Sequence, residues 1–257
     1  MGSQAGRVGD ADYESGGSGY ENRRRADPRI ADQIHQALGD ATSVLNVGAG
    51  AGSYEPTDRY VLAVEPSPAM RARRGSGVVP AVDATAQLLP LDDDSVDAAT
   101  AIFTVHQWGD GLAPGLRELR RVTRGPIVIM TIDGDALAGF WLVEYLPDRT
   151  EIERRRFPSI ERMRDLLGGS VTVEPVPIPL DCTDGFVEAF YGRPEALLDP
   201  TVREAQSTWQ FVNQAATQQG LEALATDLRS GAWDARRGHL RHQPTYTGPL
   251  VLLIARP

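Results

Sequence analysis

Short apolar runs alternate with helix-patterned segments through the first half of the chain. Ser43–Val47, Tyr60–Val64, residues 78–82, residues 96–103 and Ile127–Ile132 each read as a strand. Several of these runs are apolar throughout rather than at every second position, as in parallel strands buried on both faces. Between them lie amphipathic segments. Asp27-Pro28 has the form of an N-cap followed by a first-turn proline, and Ile30, Ile34, Ala37 and Leu38 then recur at helical spacing before Gly39. Pro66-Ser67-Pro68 opens a second helix carrying Met70. Residues 115–124 form a third, with Leu116 and Leu119 inward, ended by the breaker Gly125-Pro126. Residues 159–167 form a fourth, capped by Ser159, with Arg162 and Arg164 outside. Strands alternating with helices predict an α/β fold with a largely parallel sheet. Residues 171–179 alternate as a strand whose prolines confine it to an edge, and residues 250–255 form a last strand.

Residues 184–242 separate those two late strands, too far for a hairpin connection, and predict a helical insertion with breaks near Pro194, Pro200 and Gly220. The expected division is an N-terminal arm and cap helix over 1–40, a core over 41–183 and 243–257, and the insertion over 184–242. Phe186, Phe190, Tyr191, Trp209, Phe211 and Trp233 lie in the insertion. They suit either the roof of a pocket or the packing of the insertion on the core.

Composition narrows the class. The chain has 257 residues, 41% hydrophobic and 24% charged, the balance of a soluble globular protein. A net charge of −9 argues against a nucleic-acid partner; Arg23-Arg24-Arg25 and Arg154-Arg155-Arg156 leave room for a local basic patch, and the second run reads as a solvated face. Cys182 is the only cysteine, so no disulfide forms within the chain, and no apolar run approaches the roughly 20 residues of a membrane span. With no signal-like N-terminus, a cytoplasmic protein without a membrane partner is expected. His106, His239 and His242 show no metal-ligand spacing.

The chemistry gathers at the first strand, which ends in Gly48-Ala49-Gly50-Ala51-Gly52. Glycines let backbone approach a ligand closely, and the next strand ends in Glu65, where a carboxylate accepts from a ribose diol. A nicotinamide dinucleotide fits less well, because its G-x-G-x-x-G spacing is not met. Over about residues 20–132 the chain resembles the class I S-adenosylmethionine-dependent methyltransferases, in the small-molecule group. Gly48 to Gly52, the stretch Glu65-Pro66-Ser67-Pro68-Ala69-Met70, Asp83-Ala84 and residues 89–97 carry the resemblance in order.

The resemblance implies a Rossmann-like seven-stranded sheet, mostly parallel with the last strand antiparallel, flanked by helices. It implies S-adenosyl-L-methionine as cofactor. Gly48, Ala49 and Gly50 would pass the methionine part, Asn46 would stand near its ammonium, and Thr104 would belong to the cofactor site. Glu65 would hold the ribose, with Pro66 and Ser67 also in the cofactor site. Met70 would lie on the adenine or serve as core filler. Asp83 and the Ala84 N–H would meet the adenine edge, Asp83 serving equally as a helix cap. Tyr20 and Arg25 would reach the cofactor carboxylate, or belong to an ordinary helix entry. Relatives usually carry an acid where this chain has Asn46, which bears on affinity. His106 is the candidate catalytic base and equally a pocket wall; Trp108 and Trp141 are candidate walls. The expected function is methyl transfer to a small-molecule acceptor. The alternative is a protein of the same fold that binds the cofactor without methylating. The acceptor atom and the oligomeric state stay open.

Overall fold

The apolar runs lie side by side because each satisfies its backbone only against a neighbour of the same kind. A computed structural model describes residues 24–257. Strands β1 (Ser43–Val47), β2 (Tyr60–Val64), β3 (Ala81–Val82), β4 (Ala98–Ile102) and β5 (Ile127–Ile132) are parallel, in the spatial order β3-β2-β1-β4-β5. Beyond β5 come β6 (Ser170–Pro175), the short pair β7 (Ile178–Pro179) and β8 (Thr245–Tyr246), and β9 (Leu250–Arg256). The seven-stranded sheet runs β3-β2-β1-β4-β5-β9-β6, with β9 antiparallel to both β5 and β6.

Three expected strands are shorter than their apolar runs. β3 keeps only Ala81 and Val82, because Pro80 has no N–H to give a ladder and the Val79 carbonyl accepts from Arg74 instead. β4 starts at Ala98, since Asp97 turns its carboxylate onto the backbone N–H groups of Thr42 and Ser43. The 171–179 run splits at Val176-Pro177: β6 takes the sheet edge, and β7 pairs with β8.

Helices cover both faces. Helix α1 (Pro28–Ala37) is capped by Asp27, which accepts from the Arg29 N–H. The short α2 (Pro68–Ala72) is capped by Ser67. Helix α3 (Leu112–Val122) begins three residues before its expected start. Helix α4 (Pro147–Arg156) has no apolar stripe and no counterpart among the expected helices, and α5 (Ile160–Leu167) is capped by Ser159. Because neighbours on a strand face opposite ways, β9 divides its residues. Leu252 and Ile254 pack with Ile30 and Ile34 of α1, while Leu253 packs with Leu116 and Leu119 of α3.

Residues 184–242 run between β7 and β8 through 3-10 turns and helices α6 (Pro200–Glu204), α7 (Gln214–Ser230) and α8 (Ala232–Arg237). This cap joins the α1 side of the core through Tyr191 and Trp233, both fully buried. Among the described residues no helix is long and apolar enough to cross a membrane.

Candidate functional site

The site is a cavity of about 460 Å³ between the carboxyl ends of the parallel strands and the cap. Its first wall is backbone. After Val47 the chain turns through Gly48 at φ +68° and Gly50 at φ +50°, a region that L side chains seldom enter. The N–H groups of Gly48 and Ala49 both donate to the Val64 carbonyl, at 2.9 and 3.0 Å. A Cβ added to Gly48 would stand 2.1 Å from Thr104 Oγ1, so the loop touches the end of β4 with no room to spare.

The loop is held from behind by a buried polar cluster. Arg74 donates to the carbonyls of Ala49 (3.3 Å) and Gly50 (3.1 Å) and binds both Glu55 oxygens, at 2.8 and 2.9 Å. Asn46 Nδ2 donates to Glu55 at 3.0 Å, and its Oδ1 accepts from Thr100 at 3.3 Å. Asn46 thus lines the cavity with both ends of its amide engaged.

The second wall starts at Glu65. The carboxylate is buried and accepts from the N–H groups of Gly50 and Ser67, each at 2.8 Å. Burial raises its pKa; the two N–H groups and the charges of Arg71 and Arg74 oppose that rise. Each oxygen keeps acceptor capacity for a further donor. Pro66, Ser67 and Met70 continue this wall, and Thr85, Ala86 and Gln87 close its end.

The third wall runs on from β4. Phe103 has φ +50°, a strained backbone for an aromatic residue, and its ring packs against Phe186 of the cap with centroids 5.4 Å apart. Thr104 accepts from Trp108 Nε1 at 3.3 Å. The His106 ring lies on Phe157, centroid to centroid 4.5 Å. All these side chains line the cavity.

The cap supplies the fourth wall. Asp184 accepts from Arg24 Nε at 2.6 Å and from the Tyr54 hydroxyl at 2.9 Å, which ties the N-terminal segment, the glycine loop and the cap together. Burial and the Asp184 charge push the Tyr54 phenol well above its ordinary pKa, so it stays a donor. Deeper, Arg149 pairs with Glu153 on α4, and Glu153 also accepts from Thr208 at 3.3 Å. Glu188 lies beside them in the 3-10 turn Val187–Phe190. Burial, with the Glu153 charge adding to it, raises the Glu188 carboxyl far above the usual carboxylate range.

Of the expected site residues, the cavity gathers Asn46, Gly48, Ala49, Gly50, Glu65, Pro66, Ser67, Met70, Thr104, His106 and Trp108. It leaves out four others that the structure describes. Asp83 is exposed and ion-paired with Arg71 at 2.9 Å, and Ala84 packs toward the α3 side of the core. Arg25 is exposed; Arg24 forms a bridge with Asp184, and adjacent residues of an extended segment face opposite ways. Trp141 is core: its indole N–H donates to the Tyr191 carbonyl at 2.9 Å and its ring meets Trp233 edge-on. Tyr20 lies outside the described residues. Sequence reasoning missed Arg24, Tyr54, Phe157, Glu188 and the Arg149–Glu153 pair. Glu188 did carry a signal, as a lone acid inside Phe186-Val187-Glu188-Ala189-Phe190-Tyr191, since charged groups rarely enter an apolar run unless something holds them.

Known proteins share this fold. The family profile described as a methyltransferase domain matches residues 45–126. A protein of Anabaena variabilis ATCC 29413, described as a candidate methyltransferase from an antibiotic biosynthesis pathway, is 30% identical with a TM-score of 0.83. That match covers 91% of this chain and 99% of that one. The [4+2]-cyclase SpnF (19% identity, TM-score 0.54, 92% and 84% covered) shares the fold. So does an S-adenosylmethionine-dependent methyltransferase from Archaeoglobus fulgidus (15%, 0.51, 89% and 93%). No curated protein sequence matches the chain.

The residues present suit an adenosyl sulfonium. The glycine loop lines the cavity with backbone rather than side chains, Glu65 has acceptor capacity for a diol, and Met70 gives an apolar flank. The chain belongs to the class I S-adenosylmethionine-dependent methyltransferases, with S-adenosylmethionine as its cofactor.

Proposed function

We propose that the protein transfers the cofactor's methyl group to a small-molecule acceptor held under the cap. One observation carries this: a single cavity runs from the glycine loop and Glu65 to the aromatic and polar wall of residues 186–188 and 206–208. One end suits the cofactor, and the other leaves an enclosed space beyond it. The Anabaena relative's link to antibiotic biosynthesis supports a small-molecule acceptor.

When bound, the cofactor supplies an electrophilic methyl group on a sulfonium. The chain's part is to bind, orient and exclude water, since alignment of a nucleophile with a methyl carbon is the main barrier a protein can lower here. The loop 48–50 and Thr104 would border the methionine end, Glu65 would accept from the ribose hydroxyls, and Met70 with Ala86 would flank the adenine. Phe103, Phe157 and Phe186 would hold an acceptor's flat face. His106, packed at a tilt on Phe157, lines the cavity where it would fix that face or take a proton from an acceptor hydroxyl.

The test is calorimetry with S-adenosylmethionine and S-adenosylhomocysteine, then turnover with an acceptor panel. Absence of binding by the wild-type protein, or undiminished binding by Glu65→Ala, would overturn the cofactor assignment. Binding without turnover would favour the non-methylating reading, since fold alone does not fix the reaction. Asn46 lends that reading little support, because its amide holds Glu55 and Thr100 and so has a structural role in either case.

A further inference from the structure

Glu188 is a buried carboxyl in the cavity wall with an oxygen left uncompensated. It lines the space under the cap and is 2% exposed, and its Oε1 has no hydrogen-bond partner among the described residues. A buried polar atom left this way costs stability that a methionine or leucine in the same turn would not. Such a cost persists in natural proteins chiefly where function uses the group.

Its surroundings narrow what it can be for. Arg149 is engaged by Glu153, and Arg24 by Asp184. These cations are therefore largely neutralised, and a carboxylate or phosphate on the ligand would face Glu153 and Glu188 with little to offset it. Tyr246 of β8 feels the Glu188 charge from the other side. The His106–Phe157 pair and the Phe103–Phe186 pair line the same cavity as the carboxyl.

Building on the proposed acceptor pocket, we propose that Glu188 Oε1 anchors a hydroxyl or amino group of the methyl acceptor, whose flat apolar body packs against those two aromatic pairs. The acceptor is thus a planar hydrogen-bond donor, not an anion. Glu188 is a specificity residue here; no proton transfer is assigned to it. Burial and the Glu153 charge raise its pKa to about 7, and in either protonation form the carboxyl accepts a hydrogen bond from a hydroxyl or amino group.

The experiment uses 2-naphthol, 2-naphthylamine, naphthalene and 2-naphthoate as probes. Binding is measured by ligand-detected magnetic resonance, with and without S-adenosylhomocysteine. Wild-type protein should bind the naphthol or the amine about tenfold more tightly than naphthalene, and 2-naphthoate should bind more weakly than naphthalene. Glu188→Met should abolish the donor preference and melt a few degrees higher than wild type with no ligand present. Glu188→Gln, which keeps the shape, should also melt no lower. Equal or undetectable binding of naphthol and naphthalene by the wild type overturns the proposal, as does an unchanged preference in Glu188→Met. Melting of both variants well below wild type would make Glu188 a structural residue and overturn it too. Failure of S-adenosylhomocysteine to bind, with the naphthol preference intact, would instead remove the cofactor assignment and leave the Glu188 anchor standing.

Discussion

The two ends of the cavity are made of different material. The cofactor end is mostly backbone and near-neighbour contacts: Gly48 and Ala49 donate to Val64, and Glu65 accepts from Gly50 and Ser67. The end proposed for the acceptor is side chains brought from far apart, with Arg24 meeting Asp184 across 160 positions and Glu153 meeting Thr208 across 55. Backbone tolerates no alteration of the residue that shapes it, while side-chain walls can be exchanged one at a time. The cofactor end should therefore be brittle and the acceptor end tunable.

The sharpest attempt to break that contrast is Gly48→Ala. It combines a positive φ with a Cβ 2.1 Å from Thr104 Oγ1. Calorimetry should show S-adenosylhomocysteine affinity down about a hundredfold, near 3 kcal/mol. Adding Thr104→Ala should recover part of this if the side-chain clash dominates, and none if the backbone does.

Next comes Glu65→Ala, expected to weaken the cofactor about tenfold or more, because it removes the diol acceptor and also strands two N–H groups. Glu65→Gln should lose less, since an amide oxygen still accepts.

At the mouth, Tyr54→Phe takes a donor from buried Asp184 and should lower stability by about 1–2 kcal/mol in denaturant unfolding. Acid tests the anchorage of α1. Burial alone would raise Asp27, but hydrogen bonds from Arg29 and Thr183 outweigh it and hold the carboxyl at about 2 against an ordinary 3.8. Between those values the folded state binds fewer protons than the unfolded chain, so stability is full above about 4 and falls as the pH drops toward 2. Asp27→Asn should flatten that fall in a series of thermal melts. The smallest effect is expected of Asp83→Ala: exposed beside Arg71, it should change cofactor affinity less than about threefold. A tenfold loss would return Asp83 to the adenine edge.

The same contrast separates the legible parts of the sequence from the rest. β1, β2 and β5 stand at the residues their apolar runs marked, and Gly48, Glu65 and Met70 fall in the cavity because each is placed by the strand or turn it belongs to. Short-range geometry is written in short-range pattern. The same kind of pattern places Asp83 inward, yet Arg71 of α2 draws it out, a competition no spacing displays. Trp141 and Phe157 look alike as aromatics after β5. Only the fold sends one against Trp233 and the other against His106. Helix α4 lacks an apolar stripe because it turns Arg149 and Glu153 inward, so its most informative residues look like solvated charge.

The cluster behind the glycine loop bears on how this chain could be rewritten. Asn46→Asp, which would supply the acid that the family resemblance leads one to expect there, would set a second negative charge against Glu55 and compete for the guanidinium of Arg74, whose other hydrogen bonds steady the Ala49 and Gly50 carbonyls. Changing that position alone would therefore loosen the very loop it was meant to improve. The asparagine, the glutamate nine residues on and the arginine beyond work as a ratchet, to be exchanged together or left as they are.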